Sequence, residues 1–167
     1  LLKLDFPTIE TMALTGTMPS NIANYETYTY IFHDDLSNGL HLNEESIVVK
    51  IGEETLEKGV DYTVNTSTSD NCDFEIVFTD ILSVDGVTIT KDSKVVVEYT
   101  AELRQDAVTG NDGNPNKVYL EFSNNPYYDE GTGQTPEDKV TVFTFKLDVD
   151  KVDNKDQQPL KAYGKQG

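Results

Sequence analysis

Two carboxamides and one carboxyl occupy positions that alternating strands would turn inward. Residues 116–124 alternate apolar and polar types with the period of a half-buried β-strand, which puts Asn116 and Asn124 on the apolar face. In residues 28–34 the same alternation puts Asp34 on the face of the aromatic side chains. An unsatisfied buried amide costs about 1–3 kcal/mol. The pattern therefore indicates either a polar brace inside a core or chemistry between these side chains.

The elements that must position these side chains are short strands. Two-residue alternation recurs along the chain, and the segments between are rich in Gly, Asn, Asp and Ser. The predicted strands include residues 12–17, 25–33, 46–51, 74–79, 94–103, 116–124 and 140–151. Eight or nine such strands predict an all-β antiparallel sandwich, with no more than a helical turn near residues 21–25 and 80–84. We expect one domain over residues 1–152 and a polar tail over residues 153–167.

Charge and composition exclude several classes of function. The 167-residue chain carries a net charge of −17, and so acidic a surface repels phosphate backbones and anionic lipid. Nucleic-acid binding is therefore not expected, and no apolar run approaches the ~20 residues that a membrane span needs. The single Cys72 cannot form an internal disulfide.

Several motifs, in order along the chain, resemble one known family. Residues 32–40, Phe-His-Asp-Asp-Leu-Ser-Asn-Gly-Leu, are similar to the Phe-x-Asp-x-Leu-x-x-Gly-Leu signature of fimbrial isopeptide-forming D2 domains. These domains occur in backbone pilins and related surface proteins of Gram-positive bacteria. Further matches are residues 58–64, 97–101, 113–116, 123–126 and 144–153. The resemblance covers most of residues 12–153.

This resemblance implies a CnaA-type, immunoglobulin-like sandwich that forms a Lys–Asn isopeptide bond in its own core. A lysine in an apolar core loses the hydration of its charge, so its pKa falls and a neutral amine becomes available. A buried carboxyl stays protonated and polarises the carboxamide as ammonia leaves. Asp34 matches the family's acid position. Read from the residues alone, it is equally a strand-end Asp that forms a turn with Ser37 or Asn38.

The acceptor and the nucleophile are less sharply defined. Asn116 opens its strand as the family's acceptor does, whereas Asn124 lies at the strand exit near a proline, where turn asparagines are common. We predict Asn116 and keep Asn124 as the alternative. The nucleophile is either Lys3 or a lysine that is not in this chain. Lys151 resembles the first-strand lysine of a following CnaB-type domain and is expected to be solvated.

Other reactive or metal-binding patterns are weak. Asp112, Asn114 and Asn116 are spaced like calcium-loop ligands, but a lysine stands where the EF-hand needs glycine. His33 and His41 lack the spacing of a zinc site and are expected at the surface or at strand edges. No Ser/His/Asp pattern or phosphate loop is present. We therefore expect no metal, no cofactor and no enzyme that turns over a substrate.

The favoured function is structural. The resemblance implies a stalk domain of a pilin-like surface protein, extracellular and attached to the cell wall, whose partners are other pilin subunits or neighbouring domains. The alternative is an adhesin that binds a host protein or glycan through its loops. Residues 126–133 carry Tyr127 and Tyr128, which could serve as contact anchors for such a ligand.

Overall fold

The chain folds as a β-sandwich without α-helices in the part that the structure describes. A computed structural model describes residues 8–128 and 131–145. The strands are β1 (Thr8–Thr17), β2 (Tyr30–Leu36), β3 (Leu40–Ile51), β4 (Glu54–Thr55), β5 (Thr63–Asn65), β6 (Phe74–Phe78), β7 (Lys94–Leu103), β8 (Asn114–Ser123), β9 (Thr132–Gln134) and β10 (Asp138–Val142). Two 3₁₀ turns, Ile22–Asn24 and Ile81–Ser83, lie where helical turns were predicted. Among the described residues, no helix is long and apolar enough to cross a membrane.

Two antiparallel sheets face each other. One has the strand order β1-β7-β3-β4, and the other has the order β10-β8-β2-β6-β5, with β9 also paired to β8. The chain passes from β2 in one sheet directly to β3 in the other, so the two sheets enclose a shared core. The predicted all-β antiparallel sandwich is confirmed.

The strands that alternate most cleanly in sequence supply the centre of this core. The inward residues of β7 are all buried, from Val95 to Leu103, and so are those of β6. In β6 they are Phe74, Ile76 and Phe78, each 1% exposed or less. These two strands belong to opposite sheets, so their apolar faces meet across the sandwich. The two-residue period therefore predicted the core correctly here.

Several strand boundaries differ from the prediction: β1 begins at Thr8 rather than at residue 12, and β2 spans Tyr30–Leu36 rather than residues 25–33. β3 begins at Leu40 rather than near residue 46, because a register shift between Asn43 and Val48 interrupts the alternation without ending the pairing to β7. β10 ends at Val142, opposite Asn114, where its partner β8 begins. Beyond that point Phe143 and Phe145 are 53% and 71% exposed. Residues 146–151 of the predicted last strand lie outside the described residues.

The turn that joins β2 to β3 requires glycine at position 39. Gly39 is buried, and a Cβ there would lie 2.5 Å from Ala107 Cα and would also strike Asn114 Oδ1. Gly39→Ala should therefore lower the free energy of unfolding by about 1–3 kcal/mol, the usual cost of overpacking. Urea denaturation measures this change.

Gly133→Ala is the matched control for that substitution. A Cβ at Gly133 meets only ordinary contacts of 3.4 Å or more. Its effect should stay within ~0.5 kcal/mol. Equal losses in the two variants would show that the close approach at Gly39 does not determine stability.

Candidate functional site

Three strands from both sheets bring a carboxyl, a phenol and a carboxamide together in the core. Asp34 lies on β2 and Asn116 on the neighbouring β8, where Leu36 is paired with Asn116 and Asp34 with Val118. This two-residue offset puts Asp34 and Asn116 on one face as diagonal neighbours. Tyr99 extends from β7 of the opposite sheet. All three side chains are buried, with exposures of 0%, 1% and 2% for Asp34, Tyr99 and Asn116.

A continuous chain of hydrogen bonds joins the three side chains. The Tyr99 hydroxyl donates to Asp34 Oδ2 over 2.8 Å, and Asn116 Nδ2 donates to the Tyr99 oxygen over 2.8 Å. The ring of Tyr99 is held in place by an edge-to-face contact with Phe74, with ring centroids 5.1 Å apart. We call this arrangement the Asp34–Tyr99–Asn116 chain. It fixes the carboxamide that the sequence predicted as the acceptor relative to the predicted acid.

The electrostatics of the site favour a neutral carboxyl. Burial raises the pKa of Asp34 to about 7, although hydrogen bonding from Tyr99 and Asn116 opposes the shift. The nearby carboxylates of Asp73 and Asp35 raise the pKa of Asp34 further. Burial and the neighbouring Asp34 also raise the pKa of Tyr99, so its hydroxyl keeps its proton. Below about pH 7 the site therefore holds two weak acids beside a carboxamide.

The site is incomplete within the described residues. Asp34 Oδ1 and Asn116 Oδ1 are both buried, and neither finds a hydrogen-bond partner there. Each unpaired oxygen costs about 1–3 kcal/mol. Asn116 Oδ1 is an acceptor, and Asp34 Oδ1 is one as well when the carboxyl is ionised, so a donor with several hydrogens such as a lysine amine has the capacity to pair with both. Lys3 and Lys151 lie outside the described residues, so the nucleophile stays a prediction.

Asn124 does not belong to this site. It follows the last residue of β8, is exposed, and its Nδ2 donates to the Thr132 carbonyl over 2.8 Å across the β8–β9 hairpin. The expectation that it faces the core is wrong, because the strand ends at Ser123 and the alternation stops there. Of the two predicted acceptors, Asn116 is therefore the one that is hydrogen-bonded to Tyr99 beside Asp34.

Asn114, His41 and His33, which the weak metal-binding patterns singled out, lie outside the Asp34–Tyr99–Asn116 chain. Asn114, the middle residue of the weak calcium pattern, is fully buried and exchanges hydrogen bonds with the backbone of Val108, so its carboxamide braces the preceding loop. His41 is partly exposed beside Asp106, as expected. His33 is only 5% exposed, and its expected surface or strand-edge position is wrong. A loop and Tyr119 cover it on the outer face of its sheet.

The sequence predicts a strand over residues 94–103, whose alternation turns Tyr99 inward, but it assigns Tyr99 no functional role. The available signal was a tyrosine among Val and Ala on an inward face, since a buried hydroxyl needs a partner. The identity of that partner depends on the pairing of distant strands, which the local pattern does not contain.

Comparison with known proteins decides the family. Residues 15–126 match the model of the Gram-positive pilin backbone subunit 2, Cna-B-like domain, and this range includes all three residues of the Asp34–Tyr99–Asn116 chain. The chain belongs to this family. Its members are structural rather than catalytic domains, and the predicted family is confirmed. The matched family is Cna-B-like, whereas the sequence resemblance implied a CnaA-type domain.

Individual relatives agree with the family assignment. The chain is 28% identical to the trypsin-resistant surface T6 protein of Streptococcus pyogenes serotype M6, with 89% of this chain and 30% of that protein covered. The fold resembles a 35 kDa C-terminal fragment of the major pilin GBS80 of Streptococcus agalactiae. There the TM-score is 0.65 at 23% identity, over 92% of this chain and 55% of that fragment.

The T6 backbone pilin of serotype M6 S. pyogenes is similar in structure too. Its TM-score is 0.57 at 21% identity, over 93% of this chain and 40% of that one. This chain thus spans about a third of the curated pilin protein that it matches. Relatives of this kind imply a location outside the cell, on the surface of a Gram-positive bacterium.

Proposed function

We propose that this chain is a shaft domain of a pilus polymer and stabilises itself by an autocatalytic Lys–Asn isopeptide bond. Asn116 is the acceptor, Asp34 is the assisting acid, and the nucleophile is Lys3 or a lysine outside this chain. The observation that carries the proposal is the buried Asp34–Tyr99–Asn116 chain with its two unpaired oxygens. The polymer is built from other pilin subunits, and the shaft is attached to the cell wall.

The chain of hydrogen bonds suits the departure of ammonia. The lysine amine attacks Asn116 Cγ, and a protonated Asp34 stabilises the oxygen that becomes negative. In the resting site Asn116 donates to Tyr99 and Tyr99 donates to Asp34, and both hydrogen bonds reverse in the reaction. As the Asn116 nitrogen becomes tetrahedral, its lone pair accepts a proton from the Tyr99 hydroxyl, which in turn receives one from Asp34. The attacking nitrogen returns a proton to Asp34. One C–N bond forms, one breaks and one ammonia is released, with no oxidant, cofactor or turnover.

A covalent closure of this kind suits a domain under mechanical load. A bond between Lys3 and Asn116 would span 116 − 3 = 113 residues. By the chain-entropy model for disulfides, closure of such a loop contributes about 4–5 kcal/mol. An amide also resists reduction, which a disulfide does not. The bond would thus replace the disulfide that a single cysteine cannot form.

Intact-mass measurement tests the bond. The wild-type pilin subunit should be lighter than its sequence mass by one ammonia, and Asn116→Ala should restore the full mass. Asn124→Ala is the matched control and should keep the loss, because Asn124 is exposed and engaged with Thr132. Lys3→Ala then shows whether Lys3 is the nucleophile.

The full sequence mass in the wild-type subunit would contradict the isopeptide bond. A loss that survives Asn116→Ala but disappears in Asn124→Ala would move the acceptor to the hairpin. The adhesin alternative is not favoured, because the matched family is that of the pilus backbone. The exposed Tyr127 and Tyr128 alone do not identify a ligand.

A further inference from the structure

A second group of reactive side chains lies on the outer face of the sheet, away from the sandwich core. His33 precedes Asp34 on β2 and therefore points to the opposite face. It is nevertheless 95% buried, since its exposure is 5%. The ring of Tyr119 stacks on it with centroids 4.4 Å apart and an angle of 6°. The loop of residues 66–73 contributes Asp70 and Cys72 beside it.

His33 Nδ1 points into a group of three possible metal ligands. It lies 2.8 Å from Asp70 Oδ2, 3.4 Å from Glu75 Oε1 and 3.9 Å from Cys72 Sγ. One donor atom from each of the four side chains lies within 4.8 Å of the others. We call this group the His33 cluster. Its members come from β2, the β5–β6 loop and β6, so the fold assembles them without a sequence motif.

These separations resemble those between the ligands of a four-coordinate zinc ion. Zn–N and Zn–O bonds of about 2.0–2.2 Å and a Zn–S bond of about 2.3 Å place tetrahedral ligands roughly 3.3–3.6 Å apart. The nitrogen, sulfur and carboxylate donors are those that zinc accepts. The distances from His33 Nδ1 scatter around that range, from 2.8 to 3.9 Å, and no two of the four donor atoms are more than 4.8 Å apart.

The other ring nitrogen supplies an independent observation. His33 Nε2 is buried, makes no hydrogen bond within the described residues, and lies 3.3 Å from Glu121 Oε2. Both ring nitrogens thus face carboxylates. A neutral imidazole can donate to only one of them. A metal on Nδ1 resolves the conflict, since Nε2–H then donates to Glu121 in the carboxylate–histidine–metal arrangement that orients such ligands.

The charges around the cluster also favour a cation. Three carboxylates, Asp70, Glu75 and Glu121, surround one imidazole. Coordination to a divalent metal deprotonates a thiol outright, so Cys72 would bind as a thiolate.

We propose that His33, Asp70, Cys72 and Glu75 form a zinc-class divalent metal site, with Glu121 as the outer carboxylate that orients His33. Binding displaces the proton of Cys72 Sγ, and any proton on His33 Nδ1, to solvent. No redox change is involved. The bound metal joins the loop of residues 66–73 to β2 and β6. The site is separate from the isopeptide chemistry and does not depend on it.

Metal titration of the whole chain tests the site. The protein is freed of metal with a chelator and titrated with Co²⁺, which reports a thiolate ligand through a charge-transfer band, and then with Zn²⁺. Wild type should bind one equivalent with that band, and Zn²⁺ should displace the cobalt. Cys72→Ser should lose the band and weaken Zn²⁺ binding by more than the ~10–100-fold typical of outer-shell changes. Glu121→Gln should weaken it within that ~10–100-fold range.

Matched controls separate this site from the general acidity of the surface. His41→Gln alters the other histidine–carboxylate pair, at which His41 Nε2 lies 3.5 Å from Asp106 Oδ2, and should leave Zn²⁺ affinity unchanged. If Cys72→Ser fails to fold, Glu75→Gln takes its place and should weaken binding likewise. The proposal is overturned if wild type shows no charge-transfer band. It is also overturned if wild type and the folded cluster variants bind Zn²⁺ equally, which would indicate adventitious binding to surface carboxylates and a cluster held by a protonated His33.

Discussion

Asp34→Asn should slow isopeptide formation by about 10²–10⁴-fold, the usual contribution of a positioned general acid. The substitution keeps the size of the side chain and an oxygen that accepts from Tyr99, but it removes the ionisable proton. Burial raises the pKa of Asp34 to about 7, so the wild-type carboxyl carries that proton in mildly acidic solution and in about half of the molecules at pH 7. Intact mass followed over time in chain made by cell-free synthesis measures the rate, through the loss of one ammonia.

Asp35→Asn is the matched control for this experiment. Asp35 is the next residue in the same motif and is exposed, because its side chain points away from the core. Asp35 makes only the smallest of the contributions to the raised pKa of Asp34, so this variant should crosslink close to the wild-type rate. Equal rates in wild type and Asp34→Asn would exclude Asp34 as the acid. Equal slowing in Asp34→Asn and Asp35→Asn would indicate a general effect of charge near β2.

The parts of the fold that the sequence predicted are those that local periodicity determines. Inward Val95, Val97 and Tyr99 follow from the alternation of β7, because each residue faces either the core or the outside. The inward position of Asp34 follows in the same way. Periodicity fails at strand ends, where Asn124 and Phe143 continue an alternation that the backbone no longer follows.

The contacts that could not be predicted are long-range. Tyr99 and Asp34 are 65 residues apart and come from different sheets, so no local sequence pattern predicts their hydrogen bond. His33 was expected at the surface or at a strand edge, and that expectation is wrong because the side chain is buried. The covering groups, Tyr119 and the loop of residues 66–73, come from distant segments. The alternation along a strand therefore predicts which face of the sheet a side chain is on, whereas the burial and the partners of that side chain depend on the tertiary fold.

Tyr99 allows the hydroxyl and the ring to be tested separately. Tyr99→Phe keeps the contact with Phe74 but leaves Asp34 Oδ2 and Asn116 Nδ2 without this partner. It should lower the free energy of unfolding by about 1–3 kcal/mol. Tyr99→Ala also removes a fully buried ring and should cost at least the ~3–5 kcal/mol of an aromatic-to-alanine change. Urea denaturation on a Lys3→Ala background of unshifted mass avoids any contribution from the crosslink.

The same two variants separate packing from chemistry when the crosslinking rate is measured beside stability. Tyr99→Phe should slow the loss of ammonia although its core remains packed, because the hydroxyl that links Asp34 to the leaving nitrogen is gone. Tyr62→Phe, a buried tyrosine outside the Asp34–Tyr99–Asn116 chain, should leave the rate unchanged. If Tyr99→Phe crosslinks as fast as wild type, the proton does not pass through Tyr99. Asp34 would then have to act on the carboxamide directly, and Tyr99 would serve only to hold Asp34 and Asn116 in place.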